Sequence, residues 1–227
     1  MTKYTTLIFD LDGTLMNSLD DLFYATNYAL NEHGMPIRTK EDVCQFLGNG
    51  VRKLIERAVP QDSTKQTVDE VLTTFKEYYS AHCNDHTGPY SGICDLLTEL
   101  STANYKMAIV SNKPDRDVKK LNEEYFSKYI SVALGENEAA GISKKPAPDM
   151  VVEAMRLLQS EKQECVYVGD SDVDLATARN SGLRCISVAW GFRSVSFLKE
   201  HNAEFIVNEP AEIKKLVEDD LNQTSQI

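Results

Sequence analysis

The chain has 227 residues, 42% of them hydrophobic, which is enough for one sizeable core and a second small unit. Lys and Arg number 24 against 35 Asp and Glu, a formal net charge of −11. That balance excludes nucleic acid or an anionic membrane as a general partner, since both need a positive footprint, but it leaves room for a phosphate-bearing small molecule in a cleft where metal and lysines reverse the field.

In chain order, short continuous apolar runs alternate with helical patterns, the appearance of strands buried on both faces of a parallel sheet. The first strand is predicted at Leu7 to Phe9, inside "TTLIFDLDGTLMNS". Helices follow at Leu19 to His33, Lys40 to Phe46, Val51 to Ala58 and Val68 to Cys83. This helical block separates the first strand from the second by roughly ninety residues, far more than a crossover requires. It reads as a small helical cap domain inserted after the first strand, occupying 16–87, with Leu54, Ile55, Ala58 and Val59 as its core stripe. A helix then spans Ser91 to Thr102. Strands at Lys106 to Val110, Val132 to Leu134, Cys165 to Val168, Arg184 to Val188 and Phe205 to Val207 are interleaved with helices at Pro114 to Tyr125, Pro148 to Gln159, Asp172 to Ser181 and Pro210 to Leu221. The tail "LNQTSQI" is expected to fray. The fold class is therefore α/β, a Rossmann-like open parallel sheet built from 1–15 and 88–227, with the cap inserted.

Five scattered cysteines without a Cys-x-x-Cys pair suit a reduced, cytoplasmic protein. An aspartate arrives before any leader's apolar core, and no apolar run approaches the ~20 residues of a membrane span, so we expect a soluble chain with no membrane partner.

In an open α/β sheet, ligands sit beyond the carboxyl ends of the strands. Polar residues gather at those ends: Asp10 and Asp12 after the first strand, Ser111, Asn112 and Lys113 after the second, and Asp170, Asp172 and Asp174 after Val168. Lys144 and Lys145 precede the stiff "KPAPD" run. Residues i and i+2 of an extended segment share a side, so Asp10 and Asp12 face the same way. Carboxylates converging on one cleft repel unless a cation lies between them, and Mg²⁺ with oxygen ligands is the expected occupant. Gly13 and Thr14 suit a tight turn whose N–H groups and hydroxyl approach an anion.

Blander readings stand beside these. Asp-Gly alone is a turn signal. Ser111 and Asn112 suit a helix cap as well as a ligand. Lys113 is open between substrate contact and solvated surface. "DSDVD" is not a calcium loop, because Leu175 and Ser181 stand where that loop needs Gly and Glu. "HCNDH", His82 to His86, reads as surface polarity at a helix end.

Four motifs in order, "DLDGT" at Asp10, "VSNK" at Val110, "KKPAPD" at Lys144 and "GDSDVDLATARNSG" at Gly169, resemble the haloacid dehalogenase (HAD) superfamily of hydrolases. The insertion resembles its C1 cap, and "DLDGTLMNSLDDL" with "FLGNGVRKLIERA" is similar to the phosphoglycolate phosphatase branch. Asn17 departs from that branch, which usually has Asp, and is expected to touch the hinge or the surroundings of the site more than the chemistry.

The resemblance implies Asp10 as nucleophile and Asp12 as proton carrier. It implies Mg²⁺ held by Asp10, the Asp12 carbonyl and Asp170. Thr14, Ser111, the Asn112 N–H and Lys145 would take phosphoryl oxygens, and Asp174 would orient Lys145 or a metal-bound water. In the cap, Asn49 and Arg52 become expected substrate contacts.

The implied activity is Mg²⁺-dependent hydrolysis of a small phosphorylated metabolite through an aspartyl-phosphate, with 2-phosphoglycolate the best guess, by a monomer or weak homo-oligomer. Alternatives within the superfamily are an inorganic pyrophosphatase or nucleotidase, then a phosphohexose mutase, disfavoured because Ser18 to Leu30 lacks a His. Outside enzymes, a phosphometabolite-binding regulator remains. A cap that opens and closes on hinges at Met16 to Ser18 and Gly88 to Ser91 is also expected.

Overall fold

The strands form where the sequence carries its uninterrupted apolar runs. A computed structural model describes residues 4–137 and 141–219 and divides the chain into two units, 16–88 and the flanking 1–15 with 89–227. The expected fraying of the tail lies outside the described residues, and the last helix, expected to run to Leu221, ends at Glu218 with Asp219 as its cap.

The flanking unit opens with β1 (Thr6–Phe9), buried along its whole length. The helical unit then runs β2 (Met16–Asn17), α1 (Leu19–Glu32), α2 (Lys40–Phe46), α3 (Val51–Ala58), α4 (Lys65–His82) and β3 (Gly88–Pro89), whose second residue begins the return to the flanking unit. After it come α5 (Ile93–Thr102), β4 (Lys106–Pro114), α6 (Asp115–Leu121), β5 (Val132–Glu136), α7 (Asp149–Leu158), β6 (Cys165–Gly169), α8 (Asp172–Ser181), β7 (Arg184–Val188), α9 (Val195–Glu200), β8 (Phe205–Val207) and α10 (Ala211–Glu218).

Six strands pair in parallel in the order β5-β4-β1-β6-β7-β8. Ile8, Ala108, Val110, Cys165 and Tyr167 lie in one apolar cluster with Met150, Val151 and Ala154 of α7 and Leu175 and Ala178 of α8. From β1 the chain builds outward through β4 and β5, then returns to β1's other side for β6, so the strand order reverses beside β1. Loops leaving the carboxyl ends of β1, β4 and β6 therefore meet at the switch point, where such sheets bind ligands. The α9 helix, of six residues, escaped the sequence reading, and α6 passes into a π-helical turn, Asn122–Phe126, where a continuous helix was expected. All five cysteines are free, and among the described residues no helix is long and apolar enough to cross a membrane.

Within the helical unit, α1 packs on α4, with α2 and α3 alongside. Thr39 and Asp42 make a capping box at α2, and Thr64 caps α4, which begins earlier than its apolar periodicity suggested. Arg57 donates to the Phe46 carbonyl and to Asn49 Oδ1, closing the end of α2. Asn17 Oδ1 accepts from the Leu19 N–H at 3.4 Å, an acceptor role that an amide fills as well as a carboxylate.

The first turn of α1 is tied to the returning segment through Asp21, whose side chain is 1% exposed. Its carboxylate accepts from the N–H groups of His86 and Thr87 and from the Thr87 hydroxyl at 2.7–3.1 Å, and it pairs with His86 Nδ1 at 2.8 Å. Part of "HCNDH" thus anchors a buried acid, while His82 pairs with Asp85 at the surface. Asp21→Ala strands these donors, and leaving buried donors unmet costs ~1–3 kcal/mol each. A loss of ~2–4 kcal/mol is expected by chemical denaturation, with faster hydrogen exchange at the amides of His86 and Thr87; Asp21→Asn, which keeps one acceptor oxygen, should lose less.

Candidate active site

Every residue of this site belongs to the flanking unit. Asp10 extends β1, its N–H donating to the Val168 carbonyl of β6 at 2.8 Å, so the sheet ladder fixes the carboxylate that follows it. The chain then turns through Gly13 at φ +85°, a conformation open to glycine, and a Cβ there would lie 2.5 Å from Asp170 Oδ2. Gly191 approaches from the loop after β7, where a Cβ would stand 2.3 Å from Asp170 Cβ and 2.5 Å from the Gly13 carbonyl oxygen. Two side-chain-free positions thus make the cradle in which Asp170 sits.

Asp10, Asp170 and Asp174 each bring a carboxylate oxygen within 4.8 Å of the others, and all three are buried. Against them stands the ammonium of Lys145, 2.7 Å from Asp10 Oδ1, 2.8 Å from Asp174 Oδ1 and 3.2 Å from the Tyr167 hydroxyl, which uses its three protons. Tyr167 in turn donates to Asp174 Oδ1 at 3.1 Å. Asn112 fixes the backbone that carries Lys145: its Oδ1 accepts from the Lys145 N–H at 2.7 Å and its Nδ2 donates to the Lys145 carbonyl at 3.1 Å.

Asp174 sits at the third position of α8, where its Oδ2 accepts from the N–H groups of Asp170 and Ser171 and from the Ser171 hydroxyl at 2.6 Å. With Lys145 and Tyr167 on its other oxygen, it is engaged by protein on both sides. Asp170 instead accepts from the Phe192 N–H at 2.7 Å on Oδ2, with the Thr14 hydroxyl a long 3.5 Å from Oδ1. Trp190 Nε1 donates to the Thr14 carbonyl at 3.0 Å, tying the loop after β7 to the turn after β1.

Electrostatics follow from this count of charges. Burial, then the charge of Asp174, pushes Asp10 well above the ordinary carboxylate range, with Lys145 opposing. The same two causes push Asp170 up to about 7. Burial also works against the Asp174 carboxylate, yet the charge and hydrogen bond of Lys145, with Ser171 and Tyr167, pull it below the usual value. Burial disfavours the Lys145 ammonium too, but Asp10 and Asp174 outweigh it and hold its pKa up. Three buried acids facing one lysine leave a negative excess that a hard divalent cation with oxygen ligands would satisfy. Asp10 and Asp170 are the acids in position to hold it, since Asp174 is committed to Lys145, Tyr167 and Ser171.

Asp12 follows a different course. Its carboxylate is held by Lys113 Nζ, at 3.0 Å from Oδ1 and 3.2 Å from Oδ2. Ser111 is buried, its hydroxyl accepting from the Lys113 N–H at 3.2 Å. Asp172 stays at the start of α8 with Arg193 3.6 Å away. Asn49 and Arg52 belong to the helical unit, where Asn49 accepts from Arg57 and Arg52 pairs with Asp69 and Glu56.

Sequence reasoning missed Tyr167, the Phe192 N–H and Trp190. Tyr167 reads as one more apolar body in a buried strand, and a backbone donor has no letter. The signal available was the small-aromatic run "AWGFR" directly after β7, at the same sheet edge as the other motifs.

A model of the haloacid dehalogenase-like hydrolases matches residues 7–188. A phosphoglycolate phosphatase of Vibrio parahaemolyticus is 31% identical over 218 residues, covering 93% of this chain and 95% of its own. A Listeria monocytogenes protein named pyrophosphatase PpaX is 28% identical over 221 residues, covering 96% and 98%. A crystal structure from Lactobacillus delbrueckii subsp. bulgaricus superposes with a TM-score of 0.91 at 39% identity, covering 95% of this chain and 99% of that one.

Proposed function

The chain belongs to the haloacid dehalogenase-like hydrolases, and from that membership we propose that it is a Mg²⁺-dependent phosphatase of small phosphorylated metabolites, with 2-phosphoglycolate as its substrate. The observation that carries the reading is the buried cluster of Asp10, Asp170 and Asp174 around Lys145, with Asp12 two residues from Asp10. A carboxylate kept in place by a lysine, beside a second acid able to carry a proton, is what two-step phosphoryl transfer requires.

Asp10 attacks phosphorus, forming its O–P bond as the bond to the leaving oxygen breaks, and that oxygen takes a proton from Asp12. Water then attacks the aspartyl-phosphate and gives its proton to Asp12, and the Asp10 O–P bond breaks to release phosphate. Ser111, the Asn112 N–H, Thr14 and Lys145 take the phosphoryl oxygens, and Asp174 with Tyr167 keeps Lys145 aimed at Asp10. Mg²⁺ on Asp10, the Asp12 carbonyl and Asp170 would neutralise charge developing on the transferring group. Pyrophosphate is the second reading, supported by the relatives named pyrophosphatase.

Phosphate release from 2-phosphoglycolate, pyrophosphate and p-nitrophenyl phosphate tests this, with activity expected in Mg²⁺ and lost in chelator. No Mg²⁺-dependent turnover of any of the three overturns the reading.

The metal should also be visible in stability. An acid whose pKa is raised on folding contributes stability that is present below its unfolded value, ~4, and is lost as pH climbs through the folded one. For Asp170 that window closes at about 7. The metal-free protein is therefore expected to melt lower at about pH 8 than at about pH 5.5. Mg²⁺, which binds the deprotonated acids, should raise the melting temperature more at the higher pH. Equal Mg²⁺ shifts at both pH values would contradict the assignment.

A further inference from the structure

Two lysines are buried at this site, and each is held to one acid of the Asp10-Leu11-Asp12 triplet: Lys145 to Asp10, Lys113 to Asp12. The Lys113 side chain is 4% exposed and that of Asp12 20%. The pairing of β4 changes register between Val110 and Pro114, and Ser111, Asn112 and Lys113 in that stretch are all buried, as Met107 to Val110 before them are. A lysine buried at a strand irregularity beside a candidate active site points to a function for that lysine.

Lys145 has a role in the proposed chemistry and Lys113 has none. Asp12 is held at both of its oxygens by Lys113, so it serves a leaving oxygen more freely once one of them turns from Lys113 to the substrate. A buried ammonium that gives up its carboxylate is strongly disfavoured unless another anion takes its place. We infer that Lys113 is the specificity-determining residue for a second anionic group on the leaving side of the substrate, which replaces Asp12 as its counter-ion and releases Asp12 to carry the proton.

This rests on the phosphatase reading and narrows it. The substrate class is a phosphate ester or anhydride whose leaving group itself bears negative charge close to the scissile bond. The carboxylate of 2-phosphoglycolate and the second phosphoryl group of pyrophosphate share that feature. Ethyl phosphate, the neutral-tailed counterpart of 2-phosphoglycolate, lacks it and leaves Asp12 and Lys113 bound to each other. Arg52, paired on the surface of the helical unit with Asp69 and Glu56, is the rival receptor of a substrate anion.

The test is kcat/KM of the full chain in Mg²⁺ on 2-phosphoglycolate, pyrophosphate and ethyl phosphate, for the wild type, Lys113→Met, Lys113→Arg and Arg52→Met. The wild type should favour one or both of the anionic substrates over ethyl phosphate by on the order of 100-fold or more, and which one is favoured identifies the anion. Lys113→Met should bring that ratio to within about 5-fold, Lys113→Arg should recover part of it, and Arg52→Met should leave it standing. The ratio is the readout because a merely structural loss lowers all substrates in step. A wild-type ratio near one overturns the inference whether or not the variants fold. A parallel fall on all substrates in Lys113→Met, or a ratio lost in Arg52→Met instead, also overturns it while leaving the phosphatase reading intact. Absence of Mg²⁺-dependent turnover on every ester and anhydride overturns both.

Discussion

Asp10→Asn is expected to lower kcat by at least ~10⁴-fold, since it removes the proposed nucleophile outright, and at the same time to raise the melting temperature of the metal-free protein. The second half follows from the charges. Asp10 is buried among Asp170 and Asp174, and its raised pKa says that its ionised form is disfavoured there. A neutral amide of the same shape removes one of three repelling acids and can still accept from Lys145. Stability gained where activity is lost is the mark of a site whose strain belongs to function. Wild-type turnover by Asp10→Asn would remove Asp10 from the mechanism. A lower melting temperature would mean that its ion pair with Lys145 outweighs the repulsion.

Lys145→Met is the complementary case and carries the largest loss of stability. It strips the ammonium that lies within 3 Å of both Asp10 and Asp174. Removing one partner of a buried pair costs ~3–5 kcal/mol, because the remaining charge stays behind without compensation. Loss of the proposed phosphoryl-oxygen donor should lower kcat by a further ~10²–10³-fold. The double variant with Asp10→Asn supplies the check: the destabilisation by Lys145→Met should shrink in that background, a coupling of ~1–3 kcal/mol measured by denaturation of the four proteins. Strict additivity would show that Lys145 and Asp10 do not sense each other.

Much of this was readable in the amino-acid order. β1, β4, β6 and β7 are apolar runs without alternation, and their ends carry the acids and lysines, so both the open sheet and the place of its site follow from pattern alone. Helix starts were less legible. α4 begins at Lys65 behind the Thr64 cap, but its first turn, Lys-Gln-Thr, carries no apolar periodicity to announce it. α9 is too short for its 3.6-residue period to declare itself, although Ser194 caps it.

The site was legible in its letters and not in its pairings. Asp10 and Asp12 look alike in sequence, yet one answers to Lys145 and the other to Lys113, a division set by where the fold places Lys113, near the end of β4, and Lys145, ahead of α7. Asn112 is expected to act through its backbone N–H, and the role its letter did not announce is that of its side chain, which holds Lys145's own backbone. Tyr167, the Phe192 N–H and the glycine cradle around Asp170 are visible only once segments far apart in sequence are folded together.

The place of β1 in the sheet also bears on how the chain comes to be folded. The insertion, 16–88, is contiguous and can pack its four helices as soon as it is made. β1 precedes it, and its neighbours are Lys106–Ile109 on one side and Cys165–Val168 on the other. During synthesis from the N-terminus, the strand that ends in Asp10 stays unladdered until β4 has emerged and keeps one open edge until β6 follows. Long-range closures of this kind slow folding and expose sticky strands to other molecules in the meantime. The first strand of this sheet to be made is thus enclosed late, and completion of the sheet end that carries the candidate site is timed by the arrival of β6.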